Sequence, residues 1–248
     1  HKGRVLADSF VHRGLPAVEF FISSYFSPAA AIQDRLEAYI IADDVVIENL
    51  TERWRAISLV GPSVEEVLAS LSPDMITFRG RRTQAGSLEI FFPADKQPRM
   101  CAELLNKGFT EISASEIERL RITDGVPAVP QDIGPNELPN EGGLESSAIS
   151  YTKGCYLGQE VMARLKAMGQ VRRRLLCVRG SAETPALPAP LFLGDRKVGE
   201  LRSAVSSENG GFIGLALLSL LQVKSGSILS FSPAGAPLVY VKGEAIFP

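Results

Sequence analysis

Apolar residues recur at two different spacings along this chain, and the change from one to the other divides it. Ile32, Leu36 and Ile40 follow Ser27-Pro28 at helical spacing, which predicts a helix with Ser27 as cap and Pro28 in its first turn. After a break at Gly61-Pro62, Ser63 and Glu66 form a capping-box pattern. Val64, Val67, Leu68 and Leu71 then mark one face of a second helix. Asp95 to Lys107 predicts a third helix, stopped by Gly108. Ser113 with Glu116 caps a fourth, which carries Ile117 and Leu120. Val45 to Leu50, Ala56 to Val60 and Leu88 to Phe92 read as strands. Helices interleaved with hairpin-like strands predict an α+β fold rather than a doubly wound parallel sheet.

From Val171 onward helical signals are few. Val171 to Val178, Val198 to Val205, Phe212 to Leu217, Ile228 to Phe231 and Leu238 to Ile246 read as strands between glycine and serine turns. They predict a small β-barrel. The expected boundary lies near Gly169-Gln170, with an α+β body over 1–169 and a barrel over 170–248. Between the two patterns, Asp124 to Ser147 has no periodicity and holds Pro127, Pro130, Pro135 and Pro139 with Gly125, Gly134, Gly142 and Gly143. A loop of this length inside a compact domain is expected to be ordered for function.

With 248 residues, 45% of them hydrophobic, the chain can bury a core without disulfides or metal. The formal net charge of −2 provides no global positive field for nucleic acid or anionic lipid. Cys101, Cys155 and Cys177 are widely spaced and form no CxxC pair, which argues against a zinc ribbon or a thioredoxin-type site and favours a reducing compartment. Two histidines, His1 and His12, are too few for a histidine-based metal site or triad. The most apolar stretch, Phe212 to Leu221, is too short to cross a bilayer, and the polar, basic start does not resemble a secretory signal. The opening Lys2-Gly3-Arg4-Val5-Leu6-Ala7-Asp8 reads as a strand already inside a domain, so a preceding stretch is expected to be missing. The expected location is the cytoplasm, or the mitochondrial matrix if the source is eukaryotic.

Candidate chemistry concentrates in Lys153-Gly154-Cys155-Tyr156-Leu157-Gly158-Gln159-Glu160. A helix is expected from about Gly158 to Met168, stopped by Gly169. Cys155 would precede its N-terminus, where the dipole and Lys153 favour a thiolate and Glu160 opposes one. Gly154 and Gly158 permit unusual backbone angles and close approach of a ligand. Cys101, in a helical pattern, and Cys177, on an alternating strand, read as core residues. Arg172-Arg173-Arg174 reads as a solvated strand edge, and Trp54 as a core or surface aromatic.

The Cys155 segment resembles the K-G-C-[YF]-x-G-Q-[DE] signature of the YgfZ-type folate-binding proteins, relatives of the glycine-cleavage aminomethyltransferase (T-protein). Lys2 to Asp8, Leu120 to Pro127, Leu138-Pro139-Asn140-Glu141 and Gly199 to Ser203 are similar, in order, to further segments of that family. The resemblance implies an aminomethyltransferase-like folate-binding body and a C-terminal barrel. It implies tetrahydrofolate as cofactor, and iron–sulfur client or assembly proteins as partners, with neither a membrane nor direct nucleic acid contact expected. It makes Cys155 the signature cysteine, with Lys153 beside it, and a maturation factor a better reading than a classical enzyme. Whether Cys155 binds a cluster transiently or reacts with a one-carbon unit stays open. Gly154, Tyr156, Gly158 and Gln159 fall within the signature, and Arg121 matches a position near the cofactor in the methyltransferases. Arg121 and Arg164 either serve the anionic folate tail or form structural ion pairs. Glu141 either lines the pocket or sits in a solvated turn. The methyltransferases lack the K-G-C signature, which favours the YgfZ branch; a folate-dependent aminomethyltransferase is the alternative. Arg82 to Ile90 lacks the acidic pair of the methyltransferase T-G-E-D-G segment, and Glu89 reads as a solvent-facing strand residue.

Overall fold

A computed structural model describes residues 3–14, 19–61, 64, 67, 71, 75–169, 171–208 and 210–242. The chain divides into two compact units: residues up to Asp8 together with those from Glu118 onward, and residues Ser9 to Ile117.

In the Ser9–Ile117 unit, β1 (Phe10–Arg13) pairs antiparallel with β2 (Phe20–Ser23). A separate antiparallel sheet is ordered β3 (Trp54–Leu59), β5 (Ser87–Pro93), β4 (Ile76–Gly80). The central strand β5 carries Leu88, Ile90 and Phe92 into a core with Leu59, Val67, Met100 and Leu104. The last two lie on α2 (Gln97–Asn106), where i and i+4 share a face. Gly108, at φ 86, stops the turn that follows this helix. The first helix, α1 (Ala29–Glu37), starts one residue later than its pattern suggests: Pro28, not Ser27, is the cap. The run Val45 to Leu50 forms no strand, and Val46 is 90% exposed. The capping box at Ser63 and Glu66 lies outside the described residues, as does Leu68; Val64 and Val67 are helical and buried.

α3 (Ala114–Thr123) carries the predicted capping box: the Glu116 carboxylate accepts from Ser113 N at 2.7 Å and Ser113 Oγ accepts from Glu116 N at 3.2 Å.

In the other unit, β6 (Arg173–Gly180), β7 (Ala189–Leu193), β8 (Arg196–Ser206), β9 (Phe212–Ser219), β10 (Ile228–Leu229) and β11 (Val239–Val241) form one antiparallel sheet, in the order β10-β11-β6-β9-β8-β7. It closes on itself where Phe192 and Ser230 exchange backbone hydrogen bonds at 2.9 Å, which makes it a barrel. The strand Ala189–Leu193 is absent from the sequence reading because Pro188 and Pro190 interrupt its pattern. Positions beyond Lys242 in the expected last strand lie outside the described residues.

Leu175–Val178 of β6 and Gly214–Leu218 of β9 carry no polar side chain because both faces are buried there. Leu176, Val178, Phe212, Ala216 and Leu218 fill the barrel. Leu175, Cys177, Leu215 and Leu217 point outward, against Ile122, Val129, Ile133 and Leu144. That outer layer explains the division of the chain. Residues from Glu118 fold onto the barrel, so the compact units part before Glu118, while the barrel strands themselves begin at Arg173; Gln170 lies outside the described residues. The Pro/Gly-rich segment is therefore ordered and largely buried, with a 3-10 turn at Pro139–Gly142 and a short helix α4 (Glu145–Ala148). Among the described residues no helix is long and apolar enough to cross a membrane.

Candidate functional site

The helix after the signature segment, α5 (Gln159–Met168), begins at Gly158 and ends at Gly169, both left-handed with φ 86 and 67. Only a glycine holds the Gly158 turn without strain. Gln159 closes that turn from both sides: its backbone N–H donates to Tyr156 O at 3.2 Å, and its side-chain oxygen accepts from Tyr156 N at 3.2 Å. The turn is anchored through Met162, which is buried. A Cβ on Gly3 would stand 2.9 Å from Met162 Cε and 3.5 Å from Gly158 O, so Gly3 lets the N-terminal segment lie against the helix.

Cys155 is exposed in this turn, whereas Cys101 is half-buried and Cys177 buried. Gly154 has no atom within 4 Å of where a Cβ would stand, so the backbone beside the thiol is open. Lys153 places its ammonium 4.7 Å from the Tyr156 ring centroid, and Lys166 does the same at 4.4 Å from Tyr151. Arg164 is exposed on α5. The structure thus brings Lys153, Gly154, Cys155, Tyr156, Gly158 and Gln159 into one turn, with Arg164 on the helix that follows. Cys177 is different: burial, opposed by the Lys242 charge and aided by Asp124, pushes its thiol pKa up, and its sulfur lies 3.8 Å from Ile122 O.

Arg121 belongs to another environment. It is 2% exposed, and its guanidinium donates to Glu118 through Nε (2.8 Å) and again through a terminal nitrogen, to Val126 O (2.7 Å), to Asp132 (2.6 Å) and to Ser203 Oγ (3.0 Å). A guanidinium has five N–H donors, and these five contacts occupy it. Burial opposes its charge, but Glu118 and Asp132 outweigh that and raise its pKa. Arg121 is a structural ion-pair residue, which corrects its assignment to the folate tail. Asp132, itself fully buried, also accepts from Ala128 N at 2.8 Å and Ser203 Oγ at 2.5 Å.

Ser203 reaches this network because of a β-bulge. The register shifts between Leu201, opposite Ala216, and Ser203, opposite Leu215. Residues two apart normally share a face; the extra residue Arg202 turns Leu201 into the barrel and Ser203 out towards Arg121.

Glu141 is likewise buried and engaged. Arg173 grips both of its oxygens, at 2.8 and 3.2 Å, and Leu138 N donates at 2.8 Å. The hydrogen bond to Glu141, against a smaller cost of burial, raises the Arg173 pKa. Glu141 is neither a pocket residue nor a solvated turn, a correction that follows from Arg173 standing on the adjacent barrel strand. The basic cluster is corrected with it: Arg173 pairs with Glu141 and Arg174 with Glu145 at 3.2 Å, leaving only Arg172 exposed.

Glu89, in the Ser9–Ile117 unit, is not solvent-facing. It is fully buried, accepting from Tyr25 Oη at 2.7 Å and from Ser87 and Ser58 hydroxyls at 2.5 Å. A Cβ on Gly80 would stand 2.2 Å from Glu89 Oε1, so glycine there makes room for the carboxylate. Burial, then the charge of Glu89, push the Tyr25 pKa well up. Arg82 stacks over the Tyr25 ring at 3.8 Å and bonds Ser58 at 2.9 Å. Trp54 packs 5.5 Å from the Phe21 ring.

Comparison with known proteins bears on this arrangement. Residues 172–243 match the C-terminal beta-barrel domain of CAF17. The chain is 33% identical over 183 residues to the tRNA-modifying protein YgfZ of Edwardsiella ictaluri, covering 66% of this chain and 55% of that protein. It is 30% identical over 221 residues to the mitochondrial iron–sulfur cluster assembly factor IBA57 of Homo sapiens, covering 83% of this chain and 58% of that one. The chain is a YgfZ-type relative of the glycine-cleavage aminomethyltransferases. The fold agrees: the aminomethyltransferase T of Bartonella henselae superposes with a TM-score of 0.78 at 17% identity, over all of this chain and 73% of the other. The expected α+β, aminomethyltransferase-like fold with a C-terminal barrel is thereby borne out. The chain spans little more than half the length of the two curated relatives named here.

The residues that sequence reasoning missed are the partners: Glu118, Asp132 and Ser203. Only Ser203 lies in a segment that resembles the family, and nothing local signals that it meets a side chain 82 positions away.

Proposed function

We propose that this chain acts as a folate-linked maturation factor for iron–sulfur proteins, with Cys155 as its reacting group. The observation that carries the reading is the exposure of Cys155, alone among the three cysteines, in a glycine-framed turn at the head of α5. The relatives support it: one is named for iron–sulfur cluster assembly, another for tRNA modification. A single thiol does not complete the ligand set of a cluster. Cys155 therefore works with ligands from an assembly or client protein, or attacks a one-carbon unit on the folate.

Tetrahydrofolate is the cofactor in this reading. Two of its expected ligands are committed within the protein: the five donors of Arg121 are taken, and both oxygens of Glu141 are held by Arg173 and Leu138 N. Tyr156, Gln159 and Arg164 keep that role, with Gly154 and Gly158 allowing close backbone approach, and Lys153 stays beside the thiol as its catalytic partner. Arginine suits the anionic tail. The cytoplasm, or the mitochondrial matrix in a eukaryote, belongs to the same proposal.

Complementation of a deletion strain tests the thiol. The Cys155→Ala chain should fail to restore iron–sulfur enzyme activity, and full restoration would remove the chemical role. Calorimetry with tetrahydrofolate tests the cofactor, and absence of binding to the intact protein overturns it. Folate-dependent ammonia release from an aminomethyl-lipoyl carrier would favour the aminomethyltransferase alternative, which the fold by itself does not decide.

A further inference from the structure

A cleft of about 340 Å³ on the barrel unit is lined by Arg119, Arg179, Gly180, Ser207, Glu208, Gly210, Phe212 and Ile213. None of these residues enters the reading of Cys155. The backbone beneath the cleft is tightly packed. Phe212 is buried, and a Cβ on Gly180 would stand 1.9 Å from its ring; one on Gly211 would stand 2.0 Å from Gly180 O. The two glycines let the end of β6 and the β8–β9 turn press together over the aromatic ring. The turn is tied by Ser207 N to Gly211 O at 3.0 Å and Gly210 N to Ser207 O at 3.1 Å.

The walls are cationic. Arg119, on α3, holds the Glu208 carboxylate at 2.9 Å, and both side chains are largely in water, at 45% and 79% exposure. An ion pair that exposed is worth little, so another carboxylate can take its place. Arg179 is exposed and has no acceptor among the described residues. Ser207 adds a hydroxyl that none of the described residues engages.

We propose that this cleft binds a small carboxylate with a short apolar body, with Glu208 as the built-in occupant that such a ligand displaces. The volume lies at the lower end of the roughly 300–1,000 Å³ typical of ligand sites. The ligand's carboxylate bridges Arg119 and Arg179, and its apolar part lies against Ile213. Guanidinium forks match carboxylates in plane, which gives the site its selectivity for an anion over a neutral isostere.

The test uses 3-phenylpropionate and its neutral amide, titrated into the full chain while the Ile213 methyl resonance is followed. The acid should give a saturable shift and the amide none. Arg179→Met should weaken binding roughly 10-fold, the loss of one charge-assisted contact. Glu208→Gln should tighten it several-fold, because the internal competitor is gone. Thermal midpoints of both variants, whose substitutions are at exposed side chains, report that the fold is intact. The proposal is overturned if acid and amide shift the resonance alike, if no shift saturates, or if Glu208→Gln leaves the affinity unchanged or lowers it.

Discussion

Arg121 and Cys155 lie in the same folded unit, and sequence reasoning nominates both for one site, yet their surroundings are opposite. Every donor of Arg121 is taken by the protein, and its partners Asp132 and Ser203 are as buried as it is. Cys155 is exposed, in a turn built mainly from backbone and glycine. The difference separates two kinds of polar residue. A buried charge survives only with its partners in place, so it holds the outer layer on the barrel. An exposed thiol on a glycine-framed turn costs the fold little and is left available for chemistry.

The strongest way to break this contrast is Asp132→Ala. It removes the fully buried one of the two carboxylates on Arg121 and with it the acceptor of the Ala128 N–H and the Ser203 hydroxyl, and is expected to cost about 3–5 kcal/mol in urea unfolding. A loss below about 1 kcal/mol would mean that the network does not carry the outer layer. Ser203→Ala tests the bulge that aims one hydroxyl at Arg121 and Asp132. It should cost about 1–3 kcal/mol by the same measurement.

His12 is an intermediate case in the other unit. Its ring stacks 3.7 Å from Phe78, Nε2 has no partner among the described residues, and burial lowers its pKa below 6.5. The unfolded chain then binds more protons than the folded one between the lowered pKa and 6.5. Stability is intact above 6.5 and falls as the pH drops through that value. Thermal melts of the His12→Phe chain should lack this acid-side loss, and an unchanged slope would assign it elsewhere.

The smallest stability effect belongs to Cys155→Ala, expected within about 0.5 kcal/mol of the parent because the side chain is exposed. Alkylation read by mass spectrometry sharpens the contrast among the thiols. Cys155 should label first and Cys177, buried with a raised pKa, last. Labelling of Cys177 before Cys155 would reverse the accessible and structural roles.

Much of this was legible before any coordinates. The Ser113–Glu116 capping box, the glycine stops at Gly108 and Gly169 and most of the barrel strands follow from local spacing, because caps and strand periodicity are settled within a few residues. The Cys155 turn was legible for the same reason: its glycines, Gln159 and the helix are neighbours in sequence.

Residue type and local order determined the α+β layout, the barrel and the turn that presents Cys155. Tertiary structure alone decided which charges are scaffold. Arg121 and Glu141 look like ligand-binding residues, and Glu89 like a solvent-facing one, until partners 31 to 82 positions away close on them. The reason is physical: a carboxylate or guanidinium has the same donors and acceptors wherever it stands, and only burial with long-range partners determines whether any are left for a ligand.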